Sequence, residues 1–400
     1  MPKLLQINVV ANWGSTGRIA EEIGQLAISK GWESYIAYGR GNPHSKSHLI
    51  RVGSNLDMYS HVIQSRLLDN HGLASKKATE RFIQKIIDIS PDIIHLHNIH
   101  GYYLNYPILF SFLDKANIPV VWTYHDCWPF TGHCAYFDFV NCNKWKEQCH
   151  SCAALNTYPV SIFDASPRNY ALKKQYLTQV PKMVLVPVSH WLDGLIHESF
   201  LSHYYSKVIH NGINTDLFSP TIDNSIRDKY KLGNRFIILG LTNIWAARKG
   251  LNDILKLNDI IDHSIYQIVL VGLNEKQMKQ IPNSIIGIPR TDSIDDLVKL
   301  YSLAGVFINP TWEDNFPTTN IEALSCGTPV ITYQTGGSPE AIDEKTGYVV
   351  PKGNVNALYE AIGKVHDGNI NREDCRKRAV DLYDKNSCYS KYIDLYNSLL

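Results

Sequence analysis

The sequence predicts an α/β protein built from two doubly wound, Rossmann-like domains. Short strand-like runs alternate with helix-like stretches almost from end to end. Several of the runs are apolar throughout, as in Ile118-Pro119-Val120-Val121-Trp122, which suits parallel strands covered by helices on both faces. The alternation stops and restarts once, at the turn-rich segment HNGINTDLFSP, residues 210–220. At 400 residues the chain is too long for one ordinary core and fits two domains of roughly 200.

In the first half, residues 4–10 read as a strand and 11–18 as a loop. Residues 19–30 read as a helix, because Ile19, Ile23 and Leu26 share a face and Gly31 offers a C-terminal stop. Strands follow at 34–38, 92–97, 119–124 and 183–188. After the restart, strands are expected at 235–241, 267–271, 284–288, 306–309 and 329–332, with helices at 250–261, 294–304 and 319–325. Tyr389, Tyr392, Ile393 and Tyr396 give the last segment an apolar stripe, so 387–400 reads as a terminal helix. The expected division is 1–209, 210–381, and a terminal segment 382–400 that packs back on the first domain. Ligands in such sheets lie outside the carboxyl ends of the strands.

Composition narrows the function. Hydrophobic residues at 44% and charged residues at 19% describe a folded globular chain. A net charge of +1 gives no pull toward nucleic acid. No apolar run approaches the roughly 18 residues of a membrane span, and the N-terminus shows no signal-peptide pattern, so a cytoplasmic protein is expected. Histidine is lopsided: 13 of 16 lie before residue 205, which points acid–base or ligand chemistry at the first half.

The stretch Asn309 to Ile342 carries most of the chemistry. A strand ends in a loop with two adjacent acids, Glu313 and Asp314, and Thr319-x-x-Glu322 reads as a capping box opening a short helix. Its free N–H groups form an anion site. The turn around Gly336 and Gly337 offers further backbone N–H groups, and Glu340 adds another acid. Such a set suits a ligand with sugar hydroxyls and a diphosphate; the plainer reading is a helix cap followed by a turn.

On these residues the chain resembles retaining glycosyltransferases of family 4, similar to enzymes of exopolysaccharide, colanic-acid and capsule assembly. Asp314 and Glu322 have the spacing of that family's two acids, and EALSCGTPV follows from Glu322. The family usually places Glu at the first position; here Asp314 stands there with Glu313 just before it, and spacing favours Asp314. The resemblance implies the GT-B architecture, two Rossmann-like domains facing across a cleft, with the terminal helix crossing back. By resemblance Asp314 binds donor-sugar hydroxyls, Glu322 binds ribose hydroxyls, and Asn315, Phe316, Pro317 and Thr318 line the sugar pocket. The family's R-x4-K-G becomes Ile244…Lys249-Gly250, so Arg248 joins Lys249 as the expected diphosphate-binding pair. Arg290 is placed near the base. In the first half, the turn Gly14-Ser15-Thr16-Gly17 is expected to face the donor phosphates and His125 to contact the donor sugar, with Asp126 either orienting its ring or starting the next turn. His95, His97 and His100 read as packed or acceptor-side residues.

The implied reaction transfers a sugar from a nucleotide diphosphate sugar to a glycan or polyprenyl-linked acceptor at the inner membrane surface, with no catalytic metal. A non-catalytic sugar-nucleotide or glycan-binding partner and a GT-B nucleotide-sugar epimerase are the rival readings. One further cluster stands apart. Cys134, Cys142, Cys149 and Cys152 fall within 19 residues, flanked by His133 and His150; they read either as a structural zinc site or as free thiols. The aromatics around them (Trp128, Phe130, Tyr136, Phe137, Phe139, Trp145) read as an acceptor- or membrane-facing element or as a small satellite core.

Overall fold

The computed structural model describes residues 1–400 and divides into two compact units: Met1–His210 with Cys388–Leu400, and Asn211–Ser387.

In the first unit, β1 (Lys3–Asn8), β2 (Glu33–Tyr38), β3 (His48–Arg51), β4 (Ile93–Leu96), β5 (Val120–Tyr124) and β6 (Met183–Pro187) form a parallel sheet ordered β3-β2-β1-β4-β5-β6. The connections carry α1 (Gly14–Ser29), α2 (Asn55–Leu68), α3 (Lys76–Ile89), α4 (Tyr106–Ala116), α5 (Ser166–Leu177) and α6 (His190–His197). In the second unit, α7 (Ser225–Tyr230) precedes β7 (Phe236–Leu241), β8 (Tyr266–Val271), β9 (Ile286–Ile288), β10 (Val306–Asn309), β11 (Val330–Tyr333) and β12 (Gly347–Val350). These run β12-β11-β10-β7-β8-β9, again all parallel. Between and after them lie α8 (Leu251–Asn258), α9 (Glu275–Met278), α10 (Ile294–Leu303), α11 (Thr318–Ser325), α12 (Val355–His366), α13 (Arg372–Tyr383) and α14 (Lys385–Leu399).

Each sheet therefore winds outward in two directions from its first strand. The crevices that this opens lie at β1/β4 and at β7/β10. The central strands are buried along their whole length, which is why they read as mainly apolar runs, with one polar residue in each of β4, β5, β8 and β10.

Two strands have no counterpart in the sequence expectation, β3 and β12. Both are edge strands with partly exposed residues, so neither forms a continuous apolar run. The segment expected as a loop at 11–18 is also different: α1 begins at Gly14, so Gly14–Gly17 is the first helical turn. Trp13 caps it through extended backbone alone, with no Ser, Thr or Asp to mark the start.

From Cys388 onward α14 belongs to the first unit. Tyr389, Tyr392, Ile393 and Tyr396 are buried among Leu4, Ile19, Ile23, Trp32, Ile93 and Val121. Two polar contacts fix its register: the Tyr396 hydroxyl lies 2.6 Å from His95 Nδ1, and the Thr123 hydroxyl donates to Tyr392 at 3.0 Å.

Candidate active site

In the second unit Arg248, Lys249, Asp314 and Glu322 lie on the segments that follow β7 and β10, the point where the sheet changes direction. Arg248 and Lys249 sit on a single 3-10 turn ahead of α8. Gly250 ends that turn with φ +79°, and a Cβ there would lie 2.0 Å from the Pro310 carbonyl oxygen, so only glycine lets the turn press against the β10 loop. The Lys249 ammonium pairs with the Asp314 carboxylate. Arg248 donates to the Glu313 carbonyl at 2.9 Å and accepts the Trp312 N–H at 2.7 Å.

The acid loop is pinned from below. Trp312 Nε1 donates to Asp253 at 2.7 Å, and the Tyr333 hydroxyl donates to the same oxygen at 3.2 Å. Glu313 is 1% exposed, whereas Asp314 keeps part of its side chain at the surface. Gly336, with φ +54°, comes so close to Asp314 that a Cβ would sit 1.9 Å from its carbonyl oxygen. The Gly337 N–H is spent on that same carbonyl at 3.1 Å, so this N–H shapes the acid loop and is not available to an anion.

The expected capping box does not form. Helix α11 starts at Thr318 with Pro317 as N-cap and no side-chain cap, because proline carries no side-chain acceptor and Thr319 already lies inside the first turn. Glu322 is buried in α11 and accepts a 3.1 Å hydrogen bond from the Tyr301 hydroxyl of α10. Burial, then the adjacent Glu322, hold the Tyr301 hydroxyl well above its usual pKa. Phe316 is buried; its ring lies 5.7 Å from Tyr383 and its carbonyl accepts from Asn211 at 3.4 Å. Asn315 is buried beside it. Arg290 is exposed just past β9, an edge strand separated from β10 by β8 and β7, and the structure does not bring it to the acid loop.

In the first unit, histidines line the carboxyl ends of β4 and β5. His97 Nδ1 lies 3.1 Å from His125 Nε2 with the rings stacked, and His97 Nε2 lies 3.1 Å from Gln6 Oε1. Desolvation lowers the His125 pKa to about 4 and carries His95 and His97 well below 6.5. Asp126, expected to orient His125, instead pairs with His100 Nε2 at 2.8 Å. His97 as the support of His125, and Tyr301 as the partner of Glu322, were not legible in the sequence. Both contacts are long-range in the chain and follow no spacing rule.

The insertion that follows β5 is a satellite core. Trp128, Phe130, Phe137 and Trp145 are buried, and of the aromatics expected at a surface only Phe139 is exposed. Cys134, Cys142, Cys149 and Cys152 all line one cavity with His133, but no three of these donor atoms lie mutually within 4.8 Å.

Solved structures of similar fold include sucrose-phosphate synthase from Thermosynechococcus elongatus (TM-score 0.74, 19% identity, 100% of this chain and 99% of that one). HepE from Anabaena, solved with UDP-glucose, follows at TM-score 0.69 and 12% identity over 99% of both chains. These likenesses establish the GT-B fold. In sequence, the putative colanic acid biosynthesis glycosyl transferase WcaC of Escherichia coli is 29% identical over 44% of this chain and 46% of its own length. The capsular polysaccharide biosynthesis glycosyltransferase CapM of Staphylococcus aureus is 26% identical over 44% of this chain and 50% of its own. The match thus spans about half of these curated relatives. The family described as glycosyl transferases group 1 matches residues 223–381. The glycosyltransferase family 4 profile matches residues 16–217, just over half of the chain, and the protein belongs to that family.

Proposed function

We propose that this protein transfers a glycosyl group from a nucleotide diphosphate sugar to a glycan or polyprenyl-linked acceptor, with retention of anomeric configuration, in surface polysaccharide assembly. The observation that carries the reading is the Lys249–Asp314 pair at the β7/β10 crevice, with Arg248 on the same turn and Gly336 against the acid loop. In this reading Asp314 takes donor-sugar hydroxyls, Glu322 takes the ribose, and Asn315 to Thr318 shape the pocket. As the bond from the anomeric carbon to the diphosphate breaks, negative charge grows on the leaving group where Arg248 and Lys249 stand. The leaving phosphate accepts the acceptor hydroxyl's proton, and that oxygen bonds to the anomeric carbon on the face just vacated. The cationic side chains do this without a divalent metal. Donor contacts by His125, Gly14–Gly17 and Arg290 rest on the family resemblance. The names of WcaC and CapM support polysaccharide assembly.

Incubation with UDP- and GDP-sugars and a lipid-linked acceptor extract should release nucleoside diphosphate and give a product of unchanged anomeric configuration by NMR. Release with inversion, or none with any donor, would reject the reading.

We further propose that the first unit rests on an anionic bilayer through α2. Leu56, Tyr59, Ile63 and Leu67 are each more than half exposed along one helical stripe, continued by exposed Ile162 and Phe163. The latter segment is tied to α2 by the Ile162 N–H, which donates to the Arg66 carbonyl at 2.7 Å. Arg51, Arg66 and Arg168 are exposed around this stripe, while Asp57 is engaged by its helix cap and by Arg81. Sedimentation with phosphatidylglycerol vesicles should succeed, and should fall at least tenfold in an Ile63→Ser, Ile162→Ser variant. Equal sedimentation of the two would locate the contact elsewhere.

A further inference from the structure

We propose that the cysteine cavity of the first unit is a Zn²⁺ site in which Cys134, Cys142, Cys149 and Cys152 supply four thiolates. This is independent of the reading of the donor site.

The four cysteines, spread over residues 134–152, all face one cavity of about 20 Å³, room for one small ion or water. The fold works to bring them there. Ser151 adopts φ +45° and bends the Cys149–Cys152 turn back on itself. Lys144 Nζ clamps that turn by donating to the His150 and Ser151 carbonyls at 3.0 and 3.1 Å, and the Cys152 N–H donates to Asp164 at 2.8 Å. Cys134 and Cys152 are in side-chain hydrogen-bond contact. A Cβ on Gly132 would lie 2.7 Å from Cys149 Cβ and 2.3 Å from the Ser166 carbonyl oxygen, so glycine is what lets this wall close.

Two buried groups beside the sulfurs, Lys173 and His133, keep donor capacity that their protein partners do not use up. Lys173 Nζ is buried and donates only to the neutral carbonyls of Trp128 and Thr131, at 2.6 and 3.0 Å, with the Trp128 ring 3.5 Å away and no carboxylate within ion-pair distance. His133 is fully buried; its Nδ1 lies 2.6 Å from Asp69, which leaves Nε2, on a residue lining the cavity, with no partner. The Gly132 N–H donates to Cys149 Sγ at 3.2 Å. Four neutral thiols would need none of this. Four thiolates around one divalent cation form a dianion; the Lys173 ammonium stands beside it, and the Gly132 N–H and His133 Nε2 are placed to hydrogen-bond its sulfurs. Softness selects zinc over magnesium or calcium, and full thiolate ligation makes the ion structural.

Binding is balanced as Zn²⁺ plus four S–H giving the tetrathiolate and four protons. A tetrahedral site holds its sulfurs about 3.8 Å apart. The thiols must therefore draw inward, and the cavity is the space they would close.

The test is metal analysis of the intact chain, purified under reducing conditions without chelator. About one zinc per chain is expected, released by a mercurial thiol reagent. Replacement by Co²⁺ should give the strong sulfur-to-cobalt charge-transfer absorption of a four-thiolate site. Cys149→Ser should lose the metal, while Cys375→Ser, in the second unit, should keep it. His133→Gln should keep both stoichiometry and the cobalt spectrum. No stoichiometric zinc before or after zinc loading, with the four thiols reacting freely or pairing as disulfides, would overturn the site. This readout needs only wild-type protein and stands even if Cys149→Ser fails to fold. Loss of metal from His133→Gln would overturn the four-thiolate ligand set.

Discussion

The Lys249 ammonium and the Asp314 carboxylate are ion-paired, although 65 positions separate them in the chain. They meet because β7 and β10, far apart in order, are neighbours in the sheet. In the proposed reading, the pair holds a cation for a phosphate beside an acid for sugar hydroxyls. Replacing Lys249 by Met should therefore weaken donor binding by roughly 10- to 100-fold, the range of a charge-assisted hydrogen bond. Calorimetric titration with the donor and with the free nucleoside diphosphate checks it. Because the loss lies at the phosphates, both ligands should weaken alike.

Glu322 accepts from the Tyr301 hydroxyl and, in the proposed reading, also takes the ribose hydroxyls. Tyr301→Phe removes only the first, and should cost about 1 kcal/mol of stability with donor affinity kept. Glu322→Ala removes both, leaving a buried hydroxyl unsatisfied and lowering donor affinity at least tenfold. Chemical denaturation and donor titration of the two variants separate the roles. If both variants bind donor alike, Glu322 serves only the helix.

Acid should destabilise the first unit. His95, His97, His61 and His125 are kept neutral in the fold, chiefly by burial; for His61 and His125 the pKa falls to about 4. Unfolded, each titrates near 6.5. The unfolded chain binds more protons below that value, so their contribution is fully present above about pH 6.5 and is lost progressively toward pH 4. Each histidine adds a slope of about 1.4 kcal/mol per pH unit in that window. Melting temperatures between pH 7 and 4 should fall, and His95→Asn should flatten the curve.

Truncation after Ser387 should unfold the first unit. The deleted residues include Tyr389, Tyr392 and Tyr396, all within 2% of complete burial, and the hydroxyl that meets His95. Circular dichroism of the shortened chain should show loss of cooperative melting for one of the two units.

Much of this was legible in the residues. Central strands such as β5 and β8 announce themselves because burial on both faces leaves a single polar position in each, Thr123 and Gln267. The turns at Gly250 and Gly336 were legible because their left-handed φ and the carbonyls pressed against them admit only glycine. Edge strands β3 and β12 were not, since half-exposed strands mix polar and apolar residues. The start of α1 was hidden because Trp13 caps it without a side-chain acceptor. The aromatic insertion left two readings open in sequence, because large rings serve a satellite core as readily as a surface; packing selects the satellite core. The exposed stripe on α2 is blurred in sequence by Met58 and Val62, which are partly buried between the exposed positions.

The most direct measurement is a thermal-shift titration of the full chain with UDP-, GDP- and dTDP-sugars, alongside Glu322→Ala. One nucleotide family should stabilise the wild type by roughly 2.7 kcal/mol at about 100 times its Kd, raising Tm by several degrees, with the shift lost in the variant. No stabilisation by any nucleotide sugar, with or without acceptor lipid, would mean that the β7/β10 crevice is not a donor site.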